Sequence, residues 1–187
     1  MPQQQDLRPP VAGIGAPLVQ LIAEARAAAR GADPVGGLKA ILERYLARTP
    51  DIEAALPTPL PDEALLHAGA ELTVFHIRLP PGIQYPPHEH GMVALLGLYR
   101  GRETNLFYRR DAGALIAAGE IEYRAPAVVA LPATAIHAVC NRDATPSAAI
   151  HLYLGDLTQQ ARSMWHPDLS GERPYEQSVY EAWGRAV

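Results

Sequence analysis

The sequence predicts a mainly β fold, a small antiparallel barrel or double-sheet jelly roll preceded by helices, in a chain of 187 residues. Two observations support this prediction. Apolar side chains recur at helical spacing between residues 16 and 48, whereas the later residues form short runs of strand-forming side chains. Glycine, proline, asparagine or aspartate interrupts most of the gaps between those runs, which is typical of turns between antiparallel strands.

Two helices are predicted after a polar lead-in, over residues 16–30 and 35–48. Gly31 supplies a stop for the first helix and Pro50 for the second, because proline cannot continue a helix interior. Their apolar faces comprise Leu18, Leu21, Ile22 and Ala25 in the first helix and Leu38, Ile41, Leu42 and Tyr45 in the second.

Short strands are predicted over most of the remaining chain. A strand over residues 71–79 runs into the turn Pro80-Pro81-Gly82. The other predicted strands cover residues 93–99, 104–109, 121–123, 127–131 and 149–154. The tail, residues 165–187, is mixed in character, and its aromatic residues Tyr175, Tyr180 and Trp183 are expected to cover the barrel.

We therefore expect two parts, a lead-in and helical segment over residues 1–57 packed on a barrel formed by residues 58–187 with its covering tail. The net charge of −4 and the pI of about 6.0 argue against nucleic acid as a partner. A single cysteine, Cys140, excludes an internal disulfide framework. The chain shows neither a signal pattern nor a long apolar run, so we expect a soluble, cytoplasmic protein without a membrane partner.

Three histidines form the most informative pattern in the sequence. His88 and His90 are separated by one residue, and in an extended strand such residues point to the same face. His137 follows 47 positions after His90, at a distance along the chain that lets a neighbouring strand bring it to the same place. This pattern predicts a site in which three imidazoles hold one metal ion.

The spacing around these histidines resembles the two sequence motifs of the cupin family. The first motif is matched by Gly82, His88, His90 and Gly101, with Ala94 in place of the usual glutamate. The second motif is matched by Pro132, His137 and Asn141, with Thr134 where the family normally has glycine. The resemblance covers residues 60–180 and implies a cupin barrel, or double-stranded β-helix.

Within the cupins, three histidines without the glutamate resemble the thiol dioxygenases, the cysteine dioxygenase-like iron enzymes. This resemblance implies a mononuclear iron(II) centre, with a small thiol and O2 as substrates and a sulfinic acid as product. Three neutral imidazoles keep the full dipositive charge of the metal available to an anionic ligand, although they accept zinc or nickel as readily as iron.

The strand over residues 149–154 resembles the Ser-x-His-x-Tyr strand of that family, with His151 and Tyr153 conserved in type and Ala149 replacing the serine. The resemblance implies that His151 and Tyr153 form a hydrogen-bonded catalytic pair beside the metal. In that family the serine is the outer member of a hydrogen-bonded chain with the histidine and the tyrosine, and Ala149 cannot take that place. Ala94 stands where mammalian members have the cysteine that crosslinks to the tyrosine, so no crosslink forms there.

Arg162 lies nine residues beyond Tyr153, which resembles the bacterial 3-mercaptopropionate dioxygenase branch, where an arginine at this offset binds the substrate carboxylate. Cysteine dioxygenases of the mammalian type place that arginine upstream, where this chain has Glu63 instead. Glu63 differs from the glutamine of the bacterial branch as well, and an acid facing the pocket would favour a substrate that carries an amine.

Other functions stay open at the level of sequence. The same three ligands also serve cupins of other classes, such as a diketone-cleaving dioxygenase, an isomerase or a sensor that binds without turnover. The residues do not decide between 3-mercaptopropionate and cysteine as the thiol, and a homo-oligomer is compatible with them. The remaining histidines, among them His76 and His166, are interpreted as strand or surface residues, and Cys140 as a buried apolar thiol.

Overall fold

The computed structural model describes residues 9–111 and 114–187. Helices α1 (Ala16–Ala29), α2 (Pro34–Leu46) and α3 (Thr49–Ala54) precede the strands. The Asp33 carboxylate caps α2 by accepting a hydrogen bond of 3.0 Å from the Gly36 amide. Among the described residues, no helix has both the length and the apolar character that crossing a membrane requires.

The two predicted helices are confirmed, but the role expected of Pro50 is wrong. Helix α2 ends at Leu46, and Pro50 lies in the first turn of the short third helix. Proline is tolerated there because the amides of a first helical turn have no partner within the helix.

Short strands form the rest of the architecture. In chain order they are β1 (Glu63–Ala68), β2 (Thr73–Leu79), β3 (Ile83–Gln84), β4 (His88–Glu89), β5 (Ala94–Arg100), β6 (Arg102–Asp111), β7 (Ala114–Arg124), β8 (Ala127–Leu131), β9 (Ile136–Asn141), β10 (Ser147–Tyr153), β11 (Ser163–Trp165) and β12 (Glu172–Pro174), followed by helix α4 (Gln177–Ala182) and β13 (Arg185–Ala186).

The strands form two antiparallel sheets. The first has the order β1-β2-β10-β5-β8. The second has the order β12-β11-β4-β9-β3-β13, and the long β6–β7 hairpin joins it through β9. Apart from β1 and β2, neighbours in the first sheet are not consecutive in sequence: β10 inserts between β2 and β5, which is the crossing pattern of a jelly roll.

The first sheet is buried on both faces. One face packs on the helices, where α2 lies so close that a Cβ atom on Gly97 would come within 2.8 Å of the Leu42 side chain. The opposite face contributes Phe75 and Leu96, which pack with Phe107 of the second sheet. The predicted mainly β jelly-roll fold with N-terminal helices is therefore confirmed.

Candidate metal centre

His88, His90 and His137 meet inside the jelly roll, as their spacing predicts. Each offers one ring nitrogen, and these three nitrogens lie within 4.8 Å of one another. The side chains are buried, with His137 only 1% exposed. Strands β4 and β9 bring the residues together, because His88 is the direct cross-strand neighbour of His137.

The local structure around His90 differs from the predicted strand. Strand β4 contains only His88 and Glu89, so His90 lies just beyond its end. Gly91 follows with a φ of +67°, a conformation that favours glycine, and the chain turns there. The His88 and His90 rings nevertheless lie 5.1 Å apart between centroids, so the two imidazoles still face one centre.

Outer hydrogen bonds fix the orientation of two of these rings. Asn105 Oδ1 lies 2.7 Å from His137 Nδ1, and the Pro86 carbonyl oxygen lies 3.2 Å from His88 Nδ1. When the Nδ1–H of a histidine donates a hydrogen bond to such an acceptor, the Nε2 atom is unprotonated and its lone pair can bind a metal. His137 Nε2 is buried and has no hydrogen-bond partner among the residues that the structure describes, as a ligand atom requires.

Burial also keeps the three imidazoles neutral. It lowers the pKa of His137 to about 4 and lowers the pKa values of His88 and His90 well below their usual range. Neutral imidazoles are the form that binds a divalent metal. The donor set, its orientation and its protonation state therefore fit a single divalent ion held by three histidines.

Asn105 is a residue that the sequence did not point to, since no short motif marks the amide that orients a ligand histidine. Replacing Asn105 by alanine is expected to weaken metal binding by about 10- to 100-fold, because His137 loses the acceptor that fixes its ring. A competition titration with a chelator measures this change. Asn105→Asp retains an acceptor and serves as the control; equal losses in both variants would contradict an orienting role.

His151 and Tyr153 lie next to the three histidines. His151 Nδ1 is 3.1 Å from the Tyr153 hydroxyl oxygen, and the Tyr153 ring lies 5.0 Å from the His90 ring between centroids. Burial raises the pKa of Tyr153 above its usual range, and burial lowers the pKa of His151 to about 3. At neutral pH the pair is therefore an uncharged imidazole and a protonated phenol.

Arg162 follows β10 in the chain, and its side chain is buried in the interior of the jelly roll together with the histidine cluster. It is 9% exposed, and its guanidinium carbon lies 3.3 Å from the centre of the Tyr175 ring. Within the described part of the chain, its buried Nε has no hydrogen-bond partner. The Ser163 amide donates a hydrogen bond to the Glu89 carboxylate, so the arginine segment is tied to the segment that carries His88.

One cavity of about 540 Å³ is lined by the three histidines of the cluster together with His151, Tyr153 and Arg162. Residues of the tail lie against it: Tyr175 and Tyr180 are buried, and the Tyr180 ring lies 4.9 Å from the His88 ring between centroids. Glu63 also lines the cavity, from the start of β1. The amide nitrogen of Gln177 donates a hydrogen bond of 2.9 Å to the Glu63 carboxylate.

The residues interpreted as structural lie apart from this group. His76 is buried and makes a hydrogen bond of 2.7 Å with the Tyr99 hydroxyl, and Tyr99 packs in the cluster that includes the helices. His166 is exposed and lies 2.8 Å from the Asp168 carboxylate. Cys140 is a fully buried free thiol.

No family model matches the chain, and no curated protein matches its sequence. Solved structures similar to it include an RmlC-like cupin family protein with a double-stranded β-helix fold from Methanocaldococcus jannaschii, at 15% identity over 55% of this chain and 88% of that one, with a TM-score of 0.44. A Klebsiella pneumoniae protein with a double-stranded β-helix domain has 14% identity over 65% and 90% of the two chains and a TM-score of 0.40.

Bacillus subtilis oxalate decarboxylase, a protein with Mn(II) centres, is also similar, at 15% identity and a TM-score of 0.41. The match covers 55% of this chain and 28% of the decarboxylase. These structures share the general arrangement of strands, and at this degree of similarity they assign no chemistry to any side chain of the present protein.

Proposed function

We propose that this protein is a mononuclear non-haem iron(II) thiol dioxygenase, which converts a small thiol such as 3-mercaptopropionate or cysteine to its sulfinic acid with both atoms of O2. One observation carries the proposal. A single cavity combines three buried, neutral imidazoles with a tyrosine–histidine pair and a buried arginine. A small thiol acid needs each of these groups.

The charge balance of the histidine cluster supports an anionic ligand. His88, His90 and His137 contribute no negative charge, so a bound divalent ion keeps its full charge toward the cavity. When bound, iron(II) supplies the redox chemistry by which dioxygen is transferred to a thiol sulfur. The protein contributes the binding, the orientation and the exclusion of water around that reaction.

Tyr153 supplies a hydrogen-bond donor in the cavity beside the histidine cluster. When His151 Nδ1 carries the proton, it donates to the phenol oxygen, and the Tyr153 O–H is then directed to the ligand in the cavity. His151 stays neutral because burial holds its pKa at about 3. The pair therefore positions a neutral proton donor without adding a charge.

Arg162 supplies the second binding group. Its guanidinium carbon lies 3.3 Å from the centre of the Tyr175 ring, a contact that limits its motion, and its buried Nε has no hydrogen-bond partner among the described residues. A planar fork of N–H donors binds a carboxylate with two parallel hydrogen bonds. Thiol and carboxylate of one small molecule would thus be fixed at two points.

Metal analysis followed by oxygen-uptake assays tests the function. Protein loaded with iron(II) is expected to consume O2 with 3-mercaptopropionate or cysteine and to yield a product heavier by two oxygen atoms. Protein loaded with zinc serves as the matched control and is expected to bind the thiol without uptake of O2. Absence of uptake by the iron-loaded protein with cysteine, 3-mercaptopropionate and cysteamine would overturn the proposal.

Replacing Arg162 by alanine is expected to raise the KM for a carboxylate-bearing thiol by at least roughly tenfold, because a charge-assisted hydrogen bond is lost. Steady-state assays with paired substrates measure this effect. Cysteamine, which has no carboxylate, should be nearly unaffected by the same replacement. Equal losses on both substrates would indicate that Arg162 acts structurally, through its contact with Tyr175.

A further inference from the structure

The two halves of the proposed binding site are joined by one pair of strands. Strand β4 carries His88, and strand β11 directly follows Arg162 in the chain. The two strands are antiparallel, with Met164 opposite His88, and the Trp165 amide donates a hydrogen bond of 2.9 Å to the Pro87 carbonyl oxygen. The distance between the histidine cluster and Arg162 therefore depends on how β4 and β11 are paired.

Glu89 holds this pairing from the opposite face of the strands. Side chains alternate along extended chain, so His88 and His90 line the cavity, whereas Glu89 lies on the other side with its side chain 16% exposed. The Glu89 carboxylate accepts a hydrogen bond of 3.2 Å from the Ser163 amide. One side chain thus links the position between the two histidines to the residue that follows Arg162.

Arg110 holds the Glu89 carboxylate in place. Two guanidinium nitrogens of Arg110 donate hydrogen bonds of 3.2 Å to different oxygens of that carboxylate. The same guanidinium donates to Glu172 at 3.0 Å and lies over the Trp165 ring, 4.9 Å from its centre. Glu172 in turn accepts a hydrogen bond of 2.7 Å from the Ser163 hydroxyl. Ion pairs at a surface usually contribute little, but a two-point geometry and a network of several charges are the exceptions.

A fixed separation between a metal and a guanidinium selects ligands by length. A thiol acid that is bound at both ends must span the gap between the sulfur site and the carboxylate site. A chain with one methylene group fewer or more places one end out of position, and hydrogen bonds weaken steeply when their distance and angle depart from the preferred values. The more rigid the separation is, the steeper the dependence on chain length becomes.

We propose that Glu89 is a positioning residue that fixes the distance between the histidine cluster and Arg162, and that it thereby selects thiol acids by the number of carbons between sulfur and carboxylate. The inference rests on the proposed function, because it places the sulfur at the metal and the carboxylate at Arg162. Glu89 lies outside the cavity and acts through the main chain at Ser163 and at its neighbour His88.

Calorimetric binding to the iron-loaded protein under argon tests this role. The ligands are mercaptoacetate, 3-mercaptopropionate and 4-mercaptobutyrate, which differ only in the number of methylene groups between sulfur and carboxylate. The wild-type protein is expected to bind one of them at least about tenfold more tightly than the other two, the scale of one charge-assisted hydrogen bond. Glu89→Ala should reduce this preference to less than about threefold, mainly by weakening the preferred ligand.

Two further variants separate positioning from a general loss of structure. Glu120→Ala removes an acid that accepts two hydrogen bonds of 3.1 Å from one arginine, Arg142, on a part of β7 that does not line the histidine cavity. This variant should keep the wild-type preference. Glu89→Gln retains an oxygen that can accept from the Ser163 amide, and it should keep the preference as well. A merely structural defect would weaken all three ligands alike and leave their order unchanged.

A wild-type protein that binds the three thiol acids within about threefold of one another would overturn the positioning role without any variant. A full preference in Glu89→Ala would overturn it too. If the length preference follows the expected pattern but oxygen uptake yields no sulfinic acid, the dioxygenase proposal fails and the role of Glu89 stands. If sulfinic acid forms and Glu89→Ala keeps the wild-type length preference, the reaction stands and the role of Glu89 fails.

Discussion

Replacing His137 by alanine is expected to abolish stoichiometric metal binding, with a loss in affinity of more than about 100-fold. Loss of a residue that only orients a ligand costs about 10- to 100-fold, so loss of a ligand itself should exceed that range. His88 and His90 would remain as a pair of neutral donors without the third point that closes the site. Metal content after dialysis, together with a chelator titration, measures the effect.

The control for this variant is His166→Ala. His166 is an exposed histidine whose ring nitrogen lies near the Asp168 carboxylate, away from the cavity. It should leave metal content at the wild-type level. Full metal occupancy in His137→Ala, with the fold intact by circular dichroism, would show that the three histidines are not the metal ligands.

Tyr153→Phe is expected to lower kcat by about 100-fold while metal content stays unchanged, because a positioned proton donor typically contributes 100- to 10,000-fold. The variant also removes the hydrogen-bond partner of His151 Nδ1, which is buried, at a cost of about 1–3 kcal/mol in the free energy of unfolding. Single-turnover assays and denaturant titrations separate the two effects.

Tyr99→Phe provides a control of the same chemical kind. Tyr99 is a buried tyrosine whose hydroxyl lies 2.7 Å from a histidine nitrogen, but the His76–Tyr99 pair lies on the helix side of the first sheet. This variant should lose a comparable amount of stability and keep its kcat. Equal losses of kcat in Tyr153→Phe and Tyr99→Phe would assign the effect to lost packing rather than to a catalytic hydroxyl.

The apolar periodicity of the sequence predicted a helix or strand correctly where the apolar residues are also the buried ones. The buried residues of α1 are Leu18, Leu21, Ile22 and Ala25, the residues that define its apolar spacing. Strand β8 also has the predicted bounds, and its centre carries the strand-forming residues Val128 and Val129. By contrast, β7 extends over Ala114–Arg124, whereas only residues 121–123 were predicted as a strand. The prediction was too short because much of β7 is exposed and its alanines and glycine are weak strand formers.

Several strands had no predicted bounds, and two of them matter for the cavity, although a strand that carries His137 was expected. Strand β1 places Glu63 at the cavity wall, and β9 carries His137 opposite His88. The strand character of β1 is weak in sequence, because Glu63-Ala64-Leu65-Leu66-His67-Ala68 suits a helix as well. It becomes a strand by pairing with β2 along its length.

The spacing of the two motifs predicted that the three histidines lie together, but it could not predict which residues surround them. Asn105 and Gln177 each contact a site residue through a tertiary hydrogen bond between segments at least 32 positions apart. Such contacts depend on the register of β6 against β9 and on the path of the tail. A shift of one residue in the β6–β9 register or in the path of the tail would remove these hydrogen bonds. The composition of the sequence does not indicate that register.

The order of the cavity residues along the chain has a consequence for protein synthesis. All three metal-binding candidates are translated before Tyr175 and Tyr180, which cover His88 in the finished fold. At a translation rate of about 5–20 residues per second, the segment between His137 and Tyr180 takes roughly 2–9 s to make. Strand β10, which lies between β2 and β5 in the first sheet, is also made within that interval. The three ligand candidates are therefore complete in the chain before the aromatic side chains that lie against His88 have been made.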